Sequence, residues 1–296
     1  MKKTISIISA IAASAAILLS SCTKQEMPVA KSELTYNFSI GEKDSYGLDT
    51  KAVKTGWAEG DKIYIVFDDA CPTSSADFLI LKYTSGAWTV EQTPATAPTN
   101  ASGTLDALYY ENSNPKFSFS DGLVWFESSG NYGKYMYLDA EDASYTLSGT
   151  TLSASISMSL MNSAYSSVQF CVTGLSGDWS FGIARGDLSA TSGLWTVQTP
   201  KWSKTYGAFS ESGIGTFNSN NRREMTAKSD GHYIYPTLYN NSYSSSYTWT
   251  IKLTNSTYGT WTKDFTKTIA AKGAVKLSGP TNLTDDAADH NGWTKQ

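Results

Sequence analysis

The sequence predicts a mainly β protein, and three observations carry that expectation. Apolar and polar residues alternate at period two in several separate blocks. Charged residues make up only 17% of the chain and aromatic ones 13%, with 18 Tyr and 9 Trp; aromatic and β-branched side chains suit a pleated, half-buried surface. No comparably long segment places apolar residues at i, i+3, i+4 and i+7 without a Gly or Ser-rich interruption, so the helical period is missing.

The chain opens with Lys2 and Lys3, an apolar run from Ile5 to Leu19, then Ser20, Ser21 and Cys22. This is the layout of a secretory signal, too short for a membrane span of ~20 apolar residues. The tetrapeptide "LSSC" resembles the bacterial lipobox, whose cysteine carries the lipid. Residues 1–21 are therefore expected to be a lipoprotein signal peptide and Cys22 the anchor; the other reading is an ordinary signal peptide beside a stray cysteine. Residues 22–32 are polar, contain Pro28 and read as a tether.

The first strand is expected in "LTYNFSI", with Leu34, Tyr36, Phe38 and Ile40 on one face. In "KTGWAEGDKIYIVFDD", Glu59-Gly60-Asp61 is turn chemistry: the glycine tolerates positive φ and the aspartate bonds the backbone beyond it. Ile63 to Phe67 is apolar on both faces, as in a central covered strand, and Trp57 is expected to pack over its start. "LSASISMSL" alternates Leu152, Ala154, Ile156, Met158 and Leu160 with serines, and "YTWTIKL" does the same with Tyr247, Trp249, Ile251 and Leu253. A seam in "SYTLSGTT" divides an N-terminal domain, 33–147, from a C-terminal domain, 148–296, both of ordinary domain size. "EQTPATAPTNASG" and "FSESGIGTFNSNNRRE" read as loops. The tail from Thr281 has no regular period and is expected to cross the surface.

Net charge is −4, and Arg185, Arg222 and Arg223 form no basic stripe, so nucleic acid is not an expected partner. His232 and His290 are too far apart in sequence for a histidine metal site. There is no His-Glu-x-x-His, nucleophile elbow, phosphate loop or Cys-x-x-Cys. The pairs Asp68-Asp69, Glu141-Asp142 and Asp285-Asp286 read as solvated charges, because neighbours on a strand point to opposite faces. No catalytic residue, cofactor or metal is expected. Cys71 and Cys171 could bridge in an exported protein, but spacing does not fix pairing; Cys171 within "VQFCV" reads as a buried thiol. Aromatic faces among small polar residues in "WSKTYGAF" and "NNSYSSSYTW" suit a glycan. Trp249 lies on an alternating, core-facing side, whereas Trp202, near Pro200 in a loop-like stretch, and Tyr206 are the candidate sugar contacts.

Taken in order, several of these motifs resemble the fimbrillin family, the two-domain lipoprotein pilins of Bacteroidales. "LTYNFSI" is similar to the family's first strand and "TKAVKTGWAEGDKIYIVF" to its T-[RK]-A … W-x-x-G-D-x-I-x-V-F block. "GTLDALYY", "KYMYLDA", "LSASISMSLMNSAYSSVQFCV", "HYIYPTLYNN", "YTWTIKLT" and "FTKTIAAKGAVKLSG" follow in the family's order, covering about residues 33–280. The resemblance implies two transthyretin-like β-sandwich domains in tandem and a fimbrial subunit that reaches the outer membrane as a lipoprotein. It further implies that a trypsin-like protease removes the lipid-bearing segment with the first strand, opening a groove for a strand from another fimbrial subunit. Two departures qualify this. No arginine precedes Arg185, so Lys51 in "DTKA" or Lys54 takes the processing position. The tail after Gly279 lacks the alternation of a donor strand, which points to a tip or accessory subunit with a role in adhesion to host or bacterial surface glycans or proteins. The alternative is a surface-anchored glycan-binding lipoprotein that does not polymerise.

Overall fold

A computed structural model describes residues 33–44, 46, 56–68, 70–111, 117–120, 123–125, 133–160, 165–185, 195–203, 208–216, 223–239, 246–285 and 288–296. The protein is mainly β, with no α-helix among these residues and a 3-10 turn at Ser75–Asp77. The strands lie in the unit Leu34–Gln296.

The first nine strands are β1 (Thr35–Ile40), β2 (Lys62–Phe67), β3 (Leu79–Thr84), β4 (Ala87–Gln92), β5 (Ser102–Tyr110), β6 (Ser118–Ser120), β7 (Leu123–Trp125), β8 (Tyr137–Ser148) and β9 (Thr151–Ile156). Seven of them make one sheet in the order β1-β9-β8-β5-β2-β3-β4. It curls until its edge strands β1 and β4 approach, a nearly closed, barrel-like sheet. β2 is its organiser, apolar on both faces as the sequence predicts. Ile63, Ile65 and Phe67 enter one core with Leu79, Leu105 and Tyr109, while Tyr64 and Val66 enter a second with Phe78 and Leu108. The turn before β2 has Gly60 at φ 88°. Asp61 bonds backward rather than onward, its Oδ2 accepting the Ala58 N–H at 2.7 Å.

The expected seam at 147/148 falls at the tip of the β8–β9 hairpin, where Ser148 pairs with Thr151. β9 follows that seam yet joins the first sheet, between β8 and β1. Leu152, Ile156, Met158 and Leu160 are buried in the first core, whereas Ser155, Ser157 and Ser159 stay exposed. Alternation reveals which side chains face inward but not which sheet receives them.

The remaining strands are β10 (Tyr165–Ser167), β11 (Gln169–Thr173), β12 (Ser180–Arg185), β13 (Trp195–Ser203), β14 (Ala208–Thr216), β15 (Arg223–Glu224), β16 (Thr226–Lys228), β17 (Gly231–Ile234), β18 (Thr237–Tyr239), β19 (Tyr247–Asn255), β20 (Gly259–Lys267), β21 (Ala274–Ser278) and β22 (Thr294–Lys295). Sheets β16-β17-β11-β21 and β15-β12-β19-β20-β22 share a core of Phe170, Val172, Phe181, Ile183, Trp249, Ile251 and Trp261. A further sheet, β10-β18-β13-β7-β6 with β14 beside β13, corrects the loop reading of 209–224 over its first part: Phe209 to Glu211 pair with Trp202 to Pro200, while 217–222 lie outside the described residues. Tyr235, just after β17, is buried in the first core and its ring lies 5.6 Å from that of Tyr46. Cys71 and Cys171 are free thiols.

Most described residues of the tail from Thr281 are exposed, as expected, with one departure. Trp293 is buried in the core that Phe170, Trp249 and Trp261 share, and its indole N–H donates to the Ser278 carbonyl at 2.9 Å. β22 then pairs with the edge strand β20. One large side chain supplies an anchor that periodicity does not announce. Trp293→Ala is expected to lower unfolding free energy by about 3–5 kcal/mol, read by urea denaturation. A loss within about 0.5 kcal/mol, ordinary for surface positions, would show a tail that contributes no core packing.

Candidate functional site

The candidate site is β1 together with the residues that hold its end. β1 pairs in parallel with β9, from Thr35 opposite Thr151 to Ile40 opposite Ile156. Among the described residues no ladder lies on its other side, because β1 ends the sheet. Leu34, Tyr36, Phe38 and Ile40 pack on the first core while remaining partly exposed. Thr35, Asn37 and Ser39 face outward.

Beyond Ile40 the chain enters a clamp built by the Trp-x-x-Gly-Asp turn. The Trp57 indole N–H donates to the Gly41 carbonyl at 2.9 Å. The Trp57 ring stands edge-on to Tyr109 at 5.2 Å and to Trp88 at 4.9 Å. Lys43 reaches into this group: its ammonium is 2.6 Å from Asp61 Oδ2 and donates to the Tyr109 oxygen at 2.9 Å. It also lies 4.4 Å from the Tyr109 ring centre and 4.9 Å from that of Trp57. The Tyr109 hydroxyl donates in turn to Asp61 Oδ1 at 3.0 Å. Burial, with the Asp61 charge second, holds the Tyr109 phenol far above its ordinary range, so it remains a donor. The Lys43 and Asp61 side chains are only 7% and 12% exposed, where a broken pair is expensive because the survivor stays buried and uncompensated.

Trp57 therefore holds the segment after β1 rather than only packing over β2. Lys43 and Tyr109 escaped the sequence reading. The available signal was a lysine three residues past the last anchor of an alternating strand, meaningful only once the Asp61 turn is folded beside it. Cys22, Lys51, Lys54 and Tyr206 lie outside the described residues. Trp202 is in strand β13 rather than a loop, paired with Phe209 and Val124; its side chain is outside the described set, and β13 belongs to a different sheet from β1.

Other chemistry is sparse. No group of three or more His, Cys, Asp or Glu among the described residues could hold a metal. An open pocket of about 300 Å³ beside Cys71 has Asp77 as its one charged lining residue among the described residues. That carboxylate is already engaged by the Thr73 and Ser74 N–H groups at 2.7 and 3.0 Å. The unforeseen acid is Asp139, 7% exposed, which burial first and the Glu141 charge second push up to about 7. Asp106 adds to the effect and Lys272 opposes it. No family model, curated protein or solved structure matches the chain.

Two outcomes follow from this geometry. Trp57→Phe keeps a ring but removes the donor to Gly41, and is expected to reduce stability by about 1 kcal/mol, with faster amide exchange in β1; unchanged exchange there would mean that the indole does not hold the strand. For Asp139, the folded value near 7 exceeds the ordinary 3.8. The folded chain thus keeps a proton that the unfolded chain releases, and this group's contribution falls as pH rises between about 4 and 7. Asp139→Asn should match the native chain near pH 4 and exceed its stability at pH 8 by roughly 2–4 kcal/mol. Parallel stability curves for the two chains would refute the shift.

Proposed function

We propose that this chain is a fimbrial subunit lipoprotein of the fimbrillin type, built on two transthyretin-like β-sandwich domains. It works at the outer membrane and cell surface, as a tip or accessory component of a fimbrium with a role in adhesion. Assembly proceeds by strand exchange. Proteolysis in the 47–55 stretch, at Lys51 or Lys54, releases the lipid anchor with β1, and a strand from another fimbrial subunit takes its place.

The observation that carries this reading is the one-sided attachment of β1. It forms one parallel ladder, to β9, and its inward side chains sit at the margin of the first core. Its removal breaks a single row of backbone bonds and uncovers a strip of apolar surface. Each large apolar side chain is worth ~1.5–3 kcal/mol on full burial, and less where burial is partial. An incoming strand regains both terms by β-augmentation, main-chain bonds supplying affinity and every second side chain supplying fit. To reproduce the ladder it must run parallel to β9. The buried Trp293 and the β20–β22 pairing agree with a subunit whose tail stays at home, hence one that accepts a strand without donating that tail.

The test is brief trypsin digestion of protein lacking residues 1–22, followed by mass spectrometry and sizing. Early cuts after Lys51 or Lys54 should leave a folded body that binds an added strand. Resistance of both bonds, or collapse of the body once they are cut, would make β1 permanent and favour an anchored binding protein.

A further inference from the structure

Lys43 lies three residues past Ile40, the last core-facing anchor of β1. The walls around its ammonium, Trp57, Asp61 and Tyr109, all come later in the chain, beyond the 47–55 stretch. A cut in that stretch that carries β1 away carries Lys43 with it. What stays behind is a carboxylate still bonded by the Ala58 N–H and the Tyr109 hydroxyl, now without its counter-charge and facing two aromatic rings. A carboxylate beside π faces attracts an ammonium strongly where water is largely excluded. A mostly buried anion left without a partner is unfavourable. The vacated clamp is therefore a cation receptor at one end of an apolar groove.

We infer that Trp57, Asp61 and Tyr109 form the selectivity site of that groove: the strand that replaces β1 carries a basic residue three positions after its last apolar anchor. This rests on the reading that β1 is replaceable. The partner is thus a fimbrial strand with alternating apolar anchors and then, at the third position onward, a lysine or arginine. Anchors alone discriminate weakly, since a pleated apolar strip accepts many combinations of Leu, Ile, Val and aromatic residues. A single buried charge discriminates sharply, because a neutral residue there leaves Asp61 unpaired. The position also sets register. Sliding the strand by two residues keeps its apolar face inward but moves the basic group away from Asp61.

The experiment uses the full chain with a recognition site for a sequence-specific protease placed in the 47–55 stretch, nicked after folding. Labelled peptides compete for the groove, with fluorescence anisotropy as the readout: the native Leu34–Asp44 sequence and its Lys43→Met form. On the native body the Met peptide should bind roughly 10- to 100-fold more weakly, the range for losing a hydrogen bond to a charged group. On an Asp61→Asn body the two peptides should bind alike. Tyr109→Phe, which keeps the ring and removes the hydroxyl, serves as a second body should Asp61→Asn not fold, and the gap between peptides should narrow there. Equal binding of both peptides to the native body overturns the inference while leaving strand exchange intact. A gap that persists undiminished on the altered body also overturns it, since the lysine would then be read elsewhere. Failure of the native peptide to enter at all overturns the exchange reading and the inference together.

Discussion

Five consecutive side chains of β2, Ile63 to Phe67, are removed from water on both faces of one strand, and much of the first half of the molecule follows from that. Burying a single face needs one layer of cover; burying two needs a layer on each side. The curled seven-stranded sheet covers Ile63, Ile65 and Phe67. Phe78, Phe117 and Tyr137 gather over Tyr64 and Val66. Curling is what brings β1 near β4 and gives the first core its far wall. The strand proposed as replaceable is therefore a wall of the core that β2 demands, which is why its loss would call for a substitute.

Tryptophan repeatedly satisfies backbone carbonyls. The indole N–H groups of Trp57, Trp179, Trp249, Trp261 and Trp293 donate to the carbonyls of Gly41, Ser176, Lys267, Tyr258 and Ser278. In each case a large apolar body enters or borders a core while its polar edge closes a backbone carbonyl. Among the tryptophans whose side chains are described, Trp88 is the exception, with a buried indole N–H that has no acceptor. It sits on β4, with its ring against those of Trp57 and Tyr83 at 4.9 and 5.3 Å.

Elements whose side chains alternate were legible because the period is a local property. β1, β2 and β19 lie where the pattern places them, and Trp249 is in the core. Partner choice is not local. The serine spacing of β9 gives no sign that the strand returns to β8 and β1, and the Gly- and Ser-rich β14 reads as a loop because its pairing with β13 does not depend on an apolar period. The site was half legible for the same reason. The anchors of β1 and the Trp-Gly-Asp turn stand out, but Lys43 and Asp61 are brought together only by the fold, and nothing in the spacing of the two residues announces an ion pair. A lone anchor such as Trp293 is invisible to any periodicity.

How the molecule treats its sheet edges separates permanent strands from the one proposed to leave. An unpaired edge is a template for another chain unless charge, irregularity or cover discourages it. β4 bears Glu91, paired with Lys62 at 2.8 Å and near Lys82 at 3.7 Å. β20 is covered by the tail. The edge strand β16 ends in Lys228, which pairs with Glu111 just past β5. β1 has none of these devices: between Thr35 and Ile40 it carries no charged residue, and its outward face is Thr, Asn and Ser. Its strong tether lies past its end, where Lys43 and Gly41 meet Asp61 and Trp57. A strand held chiefly at one end can be peeled from the other, so in the proposed exchange an invading strand would start at the Leu34 end and displace β1 toward the clamp. In that proposal the charge at Lys43 is exchanged after the anchors of β1, and a strand without one would stall where the fit is tested most severely.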